Sequence, residues 1–223
     1  MRVVIDLGGS VVASPTPNVT YIKDFSNLLV KLHKEGYKIM VVVGGGNIAK
    51  EYIASARELG AGEKSCDLVG IAAARLNAML LTSALGSYAL GRIPESVDNV
   101  ETEKILVMGG VKPGQTTDAV AAELAAVSSA DLLVIATNVD GVYDSDPKKS
   151  RSAKKIPRLT AGELVKIVSD GGYKAGSANV VDPVAARIIR DRKIRTIVVD
   201  GRNIDNIKNA ILGKKHNGTL ISD

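Results

Sequence analysis

A chain of 223 residues, 45% hydrophobic and 24% charged, is sized for one domain with a sizeable core. Aromatic content of only 3%, with no Trp and Phe25 as the single Phe, argues against a binder that stacks nucleic-acid bases on aromatic platforms. The net charge of +5 suits acidic ligands such as phosphates, and suits an ordinary soluble surface equally well. The lone Cys66 excludes an intramolecular disulfide or a multi-cysteine metal site, which predicts a reducing, cytoplasmic setting. No apolar run is expected to reach the roughly 20 residues of a membrane span, and the start of the chain lacks a signal-peptide shape.

In chain order, Val3 to Leu7 reads as a short apolar strand stopped by Gly8, Gly9 and Ser10. After a Pro-rich loop at 14–18, Tyr21, Ile22, Phe25, Leu28, Leu29 and Leu32 recur at helical spacing, and Gly36 ends that helix. Lys38 to Val43 is a second strand, followed by Gly44, Gly45 and Gly46 and a helix from about Asn47 to Leu59. Asp67 opens a long helix with Leu68, Ile71, Leu76, Met79 and Leu80 as its expected inner side. Ile105 to Met108 is a strand ended by Gly109 and Gly110, and Pro113 to Asp118 leads into an Ala-rich helix through about Val127.

Leu132 to Thr137 is the next strand, and Asn138 to Tyr143 turns off its end. Residues 144–158 are polar, and Lys148, Lys149, Arg151, Lys154 and Lys155 read as a solvated loop. Thr160 and Glu163 form a capping box for a helix to about Ser169, and Asp182-Pro183 opens another to about Arg192. A strand at Arg195 to Val199, a helix at Ile204 to Leu212 and an edge strand at Thr219 to Ile221 complete the chain. Alternating strands and helices predict an α/β fold: a mostly parallel central sheet with helices on both faces, in three layers.

Three strands end in glycines at their carboxyl ends, the edge where open α/β sheets bind ligands. Glycine admits close backbone approach to phosphate, and a following helix N-terminus offers free N–H groups. None of the three is a GxxxxGK[ST] loop or a GxGxxG fingerprint, so a polyanion must be held on a different scaffold.

The ordered set Asp6 to Ser10, Val43 to Asn47, Asp67 with Gly70, Met108 to Gly110, Pro113 to Ala122, Thr137 to Tyr143 with Asp146-Pro147, and His216 to Thr219 resembles the amino-acid-kinase superfamily. Within it the set is similar to archaeal-type UMP kinases and covers nearly the whole chain. The resemblance implies transfer of the ATP γ-phosphoryl to UMP, with ATP as co-substrate and Mg²⁺, in pyrimidine nucleotide synthesis. It further implies a homohexamer, a trimer of dimers, with the first long helix as dimer surface; core packing is the alternative for that helix's stripe. A single amino-acid-kinase domain is expected over residues 1–223, with a lobe to about 128 for the acceptor and one from about 129 for ATP.

By resemblance, Gly44 approaches UMP, Asp67 accepts the ribose hydroxyls, and Gly114, Gln115, Thr116, Thr117, Asp118, Ala119 and Val120 wrap the uracil and phosphate. Gly8, Gly9, Ser10, Gly45 and Lys50 meet the ATP phosphates, and Thr137, Asn138, Tyr143 and Asp146 hold adenine and ribose. Asp118 orders the groups around the transferred phosphoryl, with Gly9, Ser10 and Lys50 beside it. Each has a plainer alternative: Asp67 as a helix N-cap, Thr116 and Thr117 as caps, Asp118 as a first-turn acid, Lys50 as a surface lysine. No protein metal ligand is assigned, and His33 and His216 fall outside the glycine turns.

The chain departs from the broader family at Asp6, where many members carry Lys, and Gly176 to Asn179 offers no second Lys. Lys50 is the leading replacement cation, and a water-bridged Mg²⁺ on Asp6 is the alternative. Two other functions compete. One is a kinase for isopentenyl phosphate, which has no diol for Asp67 and for which a site His is expected. The other is a non-catalytic nucleotide- or anion-binding protein.

Overall fold

The computed structural model describes residues 1–98, 100, 102–145, 150, 152–169 and 180–223. Strands β1 (Arg2–Leu7), β2 (Lys38–Val43), β3 (Leu106–Met108), β4 (Leu132–Thr137) and β8 (Thr196–Asp200) are almost wholly aliphatic and buried on both faces. That is the composition parallel strands require when helices cover both sides. They pair in parallel and join β9 (Gly218–Ile221) and β7 (Arg158–Leu159) in a seven-stranded sheet of order β3-β2-β1-β4-β8-β9-β7. β9 runs antiparallel to β8, and β5 (Val142–Tyr143) and β6 (Lys155–Ile156) form a separate ribbon. The strand order reverses between β1 and β4, so the Gly8–Gly9 turn sits at the switch point where such sheets bind ligands.

Alternation along each strand divides the core in two. Val3, Ile5 and Leu7 join α2 (Val19–Lys34), α4 (Glu63–Leu85) and α8 (Ile204–Ile211) on one face. Val4, Val42 and Leu133 join α5 (Thr117–Val127), α6 (Ala161–Ser169) and α7 (Pro183–Asp191) on the other. The three-layer α/β/α arrangement is as the alternation predicts. A short α1 (Gly9–Val12) follows β1 directly, and α3 (Gly46–Glu58) lies on α4 with no buried residue of its own.

Four expectations need correction. β9 is an inner strand, because the two-residue β7, too short to show periodicity, covers its far side. Helix α4 begins at Glu63, capped by Gly62, so Asp67 lies inside the helix and is not its N-cap. The inner face of α4 is Cys66, Ile71, Ala73, Ala74, Asn77, Ala78, Leu81 and Leu85, whereas Leu68, Leu76, Met79 and Leu80 face outward. The α2 stripe from Tyr21 to Leu32 is buried core, which removes it as a surface for a second copy.

With its following 3₁₀ turn (Gly86–Tyr88), α4 is also long and apolar enough to pass for a membrane span. Its inner face nevertheless packs on the core around the sheet, and its polar side chains enter the site described next.

Candidate active site

Parallel pairing brings the carboxyl ends of β1, β2, β3 and β4 to one edge, and the glycine turns meet there. Gly8 N–H donates to the Ala136 carbonyl at 2.9 Å, and Gly44 N–H to the Leu7 carbonyl at 2.9 Å. A Cβ on Gly9 would collide with the backbone of Gly44 and Gly46, and one on Gly109 would lie 2.7 Å from the α4 backbone at Ala74. The close approach of these backbones, not turn formation alone, is what requires glycine.

Helix α4 gathers the turns. Asn77, fully buried, donates its amide to the carbonyls of Gly44 (2.9 Å) and Gly45 (3.2 Å). Arg75 Nε donates to the Gly110 carbonyl at 3.0 Å, and its guanidinium pairs with Glu95 at 3.1 Å. Asp67 Oδ2 accepts from Gly114 N–H at 2.7 Å, which fixes the 113–118 loop against the helix. That loop turns through Gly114 at φ +76°, a conformation favouring glycine.

Thr116 is the N-cap of α5: its Oγ1 accepts from Ala119 N–H at 3.2 Å and its carbonyl from Val120 N–H at 3.0 Å. Ala119 and Val120 therefore have engaged N–H groups and side chains buried in the core, so the polar groups of this loop end at Asp118. Thr117 Oγ1 lies beside Gly44, and Gln115 Oε1 is a buried acceptor without a partner among the described residues.

Asp6 is 3% exposed, and its Oδ1 has no partner among the described residues. Burial pushes its carboxyl well above the ordinary value of 3.8, and the neighbouring Asp118 adds to the rise. Burial also raises Asp118, opposed by a hydrogen bond from Asp182 N–H to its Oδ2 at 3.1 Å. The two carboxyls thus lie beside each other, Asp6 buried and Asp118 partly exposed, and the protonated form of Asp6 is favoured.

On the other half, Thr137 and the exposed Asn138 leave the end of β4. Asp140 ties down the turn that follows: Tyr143 OH donates to Oδ1 at 2.7 Å, and Lys155 Nζ to Oδ2 at 2.9 Å. Asn217 Nδ2 donates to the same Oδ2 at 3.2 Å, and Lys155 also donates to Asn217. Burial works against ionisation of Asp140, but these hydrogen bonds and the Lys155 charge bring its carboxyl below the ordinary range. Beside Thr137, Gly201 N–H donates to its carbonyl at 2.6 Å, and Arg202 grips Asp200 through two bonds of 2.8 and 2.7 Å.

The structure therefore brings Gly8, Gly9, Ser10, Gly44, Gly45, Asp67, Gly114 to Asp118 and Thr137 to one sheet edge. Lys50 is exposed on α3 and makes no ion pair among the described residues. Asp146, the Gly176 to Asn179 segment, and Lys148, Lys149 and Arg151 of the basic stretch lie outside the described residues. Sequence reasoning missed Asn77, Arg75 and the Asp200–Arg202 pair, gave Asn217 no role of its own within the His216 to Thr219 element, and read Lys155 as solvated loop, whereas it lies in β6 and pairs with Asp140. The available signal for Asn77 and Arg75 was polarity inside an apolar helix.

The Amino acid kinase family model matches residues 1–200. The chain is 47% identical to the uridylate kinase of Methanococcus aeolicus over 100% of both chains. It is 50% identical to that of Methanothrix thermoacetophila over 99% of both. The crystal structure of uridylate kinase from Archaeoglobus fulgidus superposes with a TM-score of 0.88 at 44% identity, covering 100% of each chain. With its glycine turns converging on one edge of a switched parallel sheet, and with these matches along its length, the chain belongs to the amino acid kinase family.

Proposed function

We propose that the chain transfers the γ-phosphoryl group of ATP to UMP, giving UDP and ADP. One observation carries the reading: the bare glycine turns converge on a loop that Asp67 holds in place, within a chain similar along its whole length to uridylate kinases. A phosphate oxygen of UMP attacks the γ-phosphorus, the bond to the ADP oxygen breaks, and ADP leaves. UMP's second phosphate pKa of about 6 makes it a nucleophile without a protein base. The protein supplies position and charge neutralisation.

In this reading residues 1–128 serve the acceptor. Asp67 takes the ribose diol, and Gly44, Gly114, Gln115, Thr116, Thr117 and Asp118 surround the uracil and phosphate. Residues 129–223 serve ATP, with Thr137, Asn138, Tyr143 and Asp146 at the nucleoside. Gly8, Gly9, Ser10, Gly45 and Lys50 stand at the phosphates. Asp6 and Asp118 fit Mg²⁺: both are hard oxygen donors, and Asp6 Oδ1 is buried without a partner. No cluster of three or more metal-binding side chains exists among the described residues, and water and substrate phosphates would have to complete such a shell. Bound there, the ion would supply positive charge beside the transferred phosphoryl group.

A cytoplasmic place in pyrimidine nucleotide synthesis and a homohexameric assembly, a trimer of dimers, belong to the same proposal. The outward apolar side chains of α4 support the assembly. Following ADP release with UMP, CMP, dUMP and isopentenyl phosphate as acceptors tests the activity. Turnover is expected with UMP; turnover with isopentenyl phosphate alone, or with none of the four, overturns it.

A further inference from the structure

We infer that Asn77 is a positioning residue: from inside α4 it sets the direction of the glycine-turn amides that face phosphate. The inference rests on the kinase reading above and adds a residue to that site. Asn77 is fully buried in a helix whose other inner residues are mostly Ala, Leu and Ile. Its Nδ2 reaches two successive carbonyls, those of Gly44 and Gly45.

In a trans peptide the C=O and the next N–H point in opposite directions. Holding both carbonyls toward the Asn77 amide therefore turns the N–H groups of Gly45 and Gly46 away from that amide, and Gly9 packs against this turn at the Gly44 carbonyl and Gly46 N. Neither N–H has a backbone or side-chain acceptor among the described residues. The Gly45 carbonyl also accepts from Ala49 N–H at 3.3 Å, the first bond of α3, so the Gly44–Gly45 peptide is the one that depends most on the Asn77 clamp, since glycine has no side chain to resist a flip. Filling space alone would need no amide: Leu has a similar volume, but it would take the donor from the Gly44 carbonyl, and Asn77 makes that bond while retaining an unpartnered buried Oδ1. That unsatisfied oxygen is a cost to stability, which directs attention to what the donor end achieves.

Asn77→Asp keeps the shape and replaces the donor by an acceptor; Asn77→Ser shortens the arm but keeps one donor. Two readouts separate positioning from mere packing. In steady-state kinetics, kcat of Asn77→Asp is expected to fall by about tenfold or more while KM for UMP changes little, as when a transition-state donor is misaligned. In calorimetry, affinity for ATP is expected to fall while affinity for adenosine, which carries no phosphate, stays the same. Asn77→Ser should recover part of both losses, and it stands in if Asn77→Asp does not fold.

Thermal unfolding with unchanged kcat, or ATP and adenosine affinities falling together, would overturn the assignment. The ATP-against-adenosine comparison does not depend on the acceptor, so it still decides the role of Asn77 if UMP proves not to be the substrate.

Discussion

Asp6 sits in a strand whose neighbours Val3, Val4, Ile5 and Leu7 are all apolar and buried. Strand alternation places it with Val4, on the α5 side of the sheet, beside Asp118, and Asp118 in turn faces Asp182. Because the folded-state pKa of Asp6 is raised, the fold favours its protonated form. That contribution is complete below the unfolded value of 3.8 and is lost as pH rises through the folded value. Without Mg²⁺, Asp6→Asn should therefore gain melting temperature over the parent chain as pH is raised from 3.8 towards neutrality. Added Mg²⁺ should stabilise the parent more than the variant. Parallel melting curves across pH would count against a raised Asp6 carboxyl.

At this scale much was legible. Asp67 and Asp118 stood out through the family resemblance, whereas their local sequence fitted helix caps and first-turn acids equally well, and the structure places both at the converging turns. What Asp67 bonds to was not legible, since Gly114 is 47 residues away in sequence. Asn77 was passed over because a single amide in a helix has no spacing rule to mark it.

Elements were readable wherever local chemistry fixes an end. Asn18, Thr116, Asp182 and Asn203 each accept from backbone N–H groups at the start of their helices, and the Thr160–Glu163 box forms as expected. Helix α4 shows why the rest failed. Its cap is Gly62, with no side-chain acceptor, so its start carried no capping signal beyond Glu63 in the first turn. Near the turns its inner face is built from Ala73, Ala74 and Ala78 because Gly109 packs on its backbone at Ala74, and large side chains there would hold the turns apart. A pattern that places the largest apolar residues inside then selects the wrong face.

Caps also give a quantitative test. Asp182 Oδ1 accepts from Val184 N–H at 2.8 Å and Ala185 N–H at 3.0 Å, while its own backbone N–H serves Asp118. Asp182→Ala should cost about 1 kcal/mol of stability in denaturant unfolding, because the cap is lost. The backbone bond to Asp118 survives, so turnover well below the melting temperature should hold. A variant as stable as the parent would show that the cap is replaced by solvent.

Over the whole molecule, two well-filled cores contrast with one apolar surface left open. Leu68, Leu76 and Met79 on α4 are 51%, 52% and 56% exposed, and Tyr52 on the adjoining α3 is 65% exposed. Each half-exposed Leu or Met leaves roughly 1 kcal/mol of burial free energy available to a partner. A membrane is a poor partner for this face, because the same helix sends Asp67, Arg75 and Asn77 into the polar site and packs its other side on the core.

A second copy presenting the same stripe about a two-fold axis would satisfy it, and would place the two helices that organise the sites in direct contact. Met79→Glu would bring a carboxylate into such a contact, and an unpaired buried charge costs several kcal/mol. Light scattering on the eluting protein should then give a smaller mass for Met79→Glu than for the parent chain, with circular dichroism unchanged. If the parent assembles and the variant's mass is the same, the copies meet through another face and α4 organises each site alone.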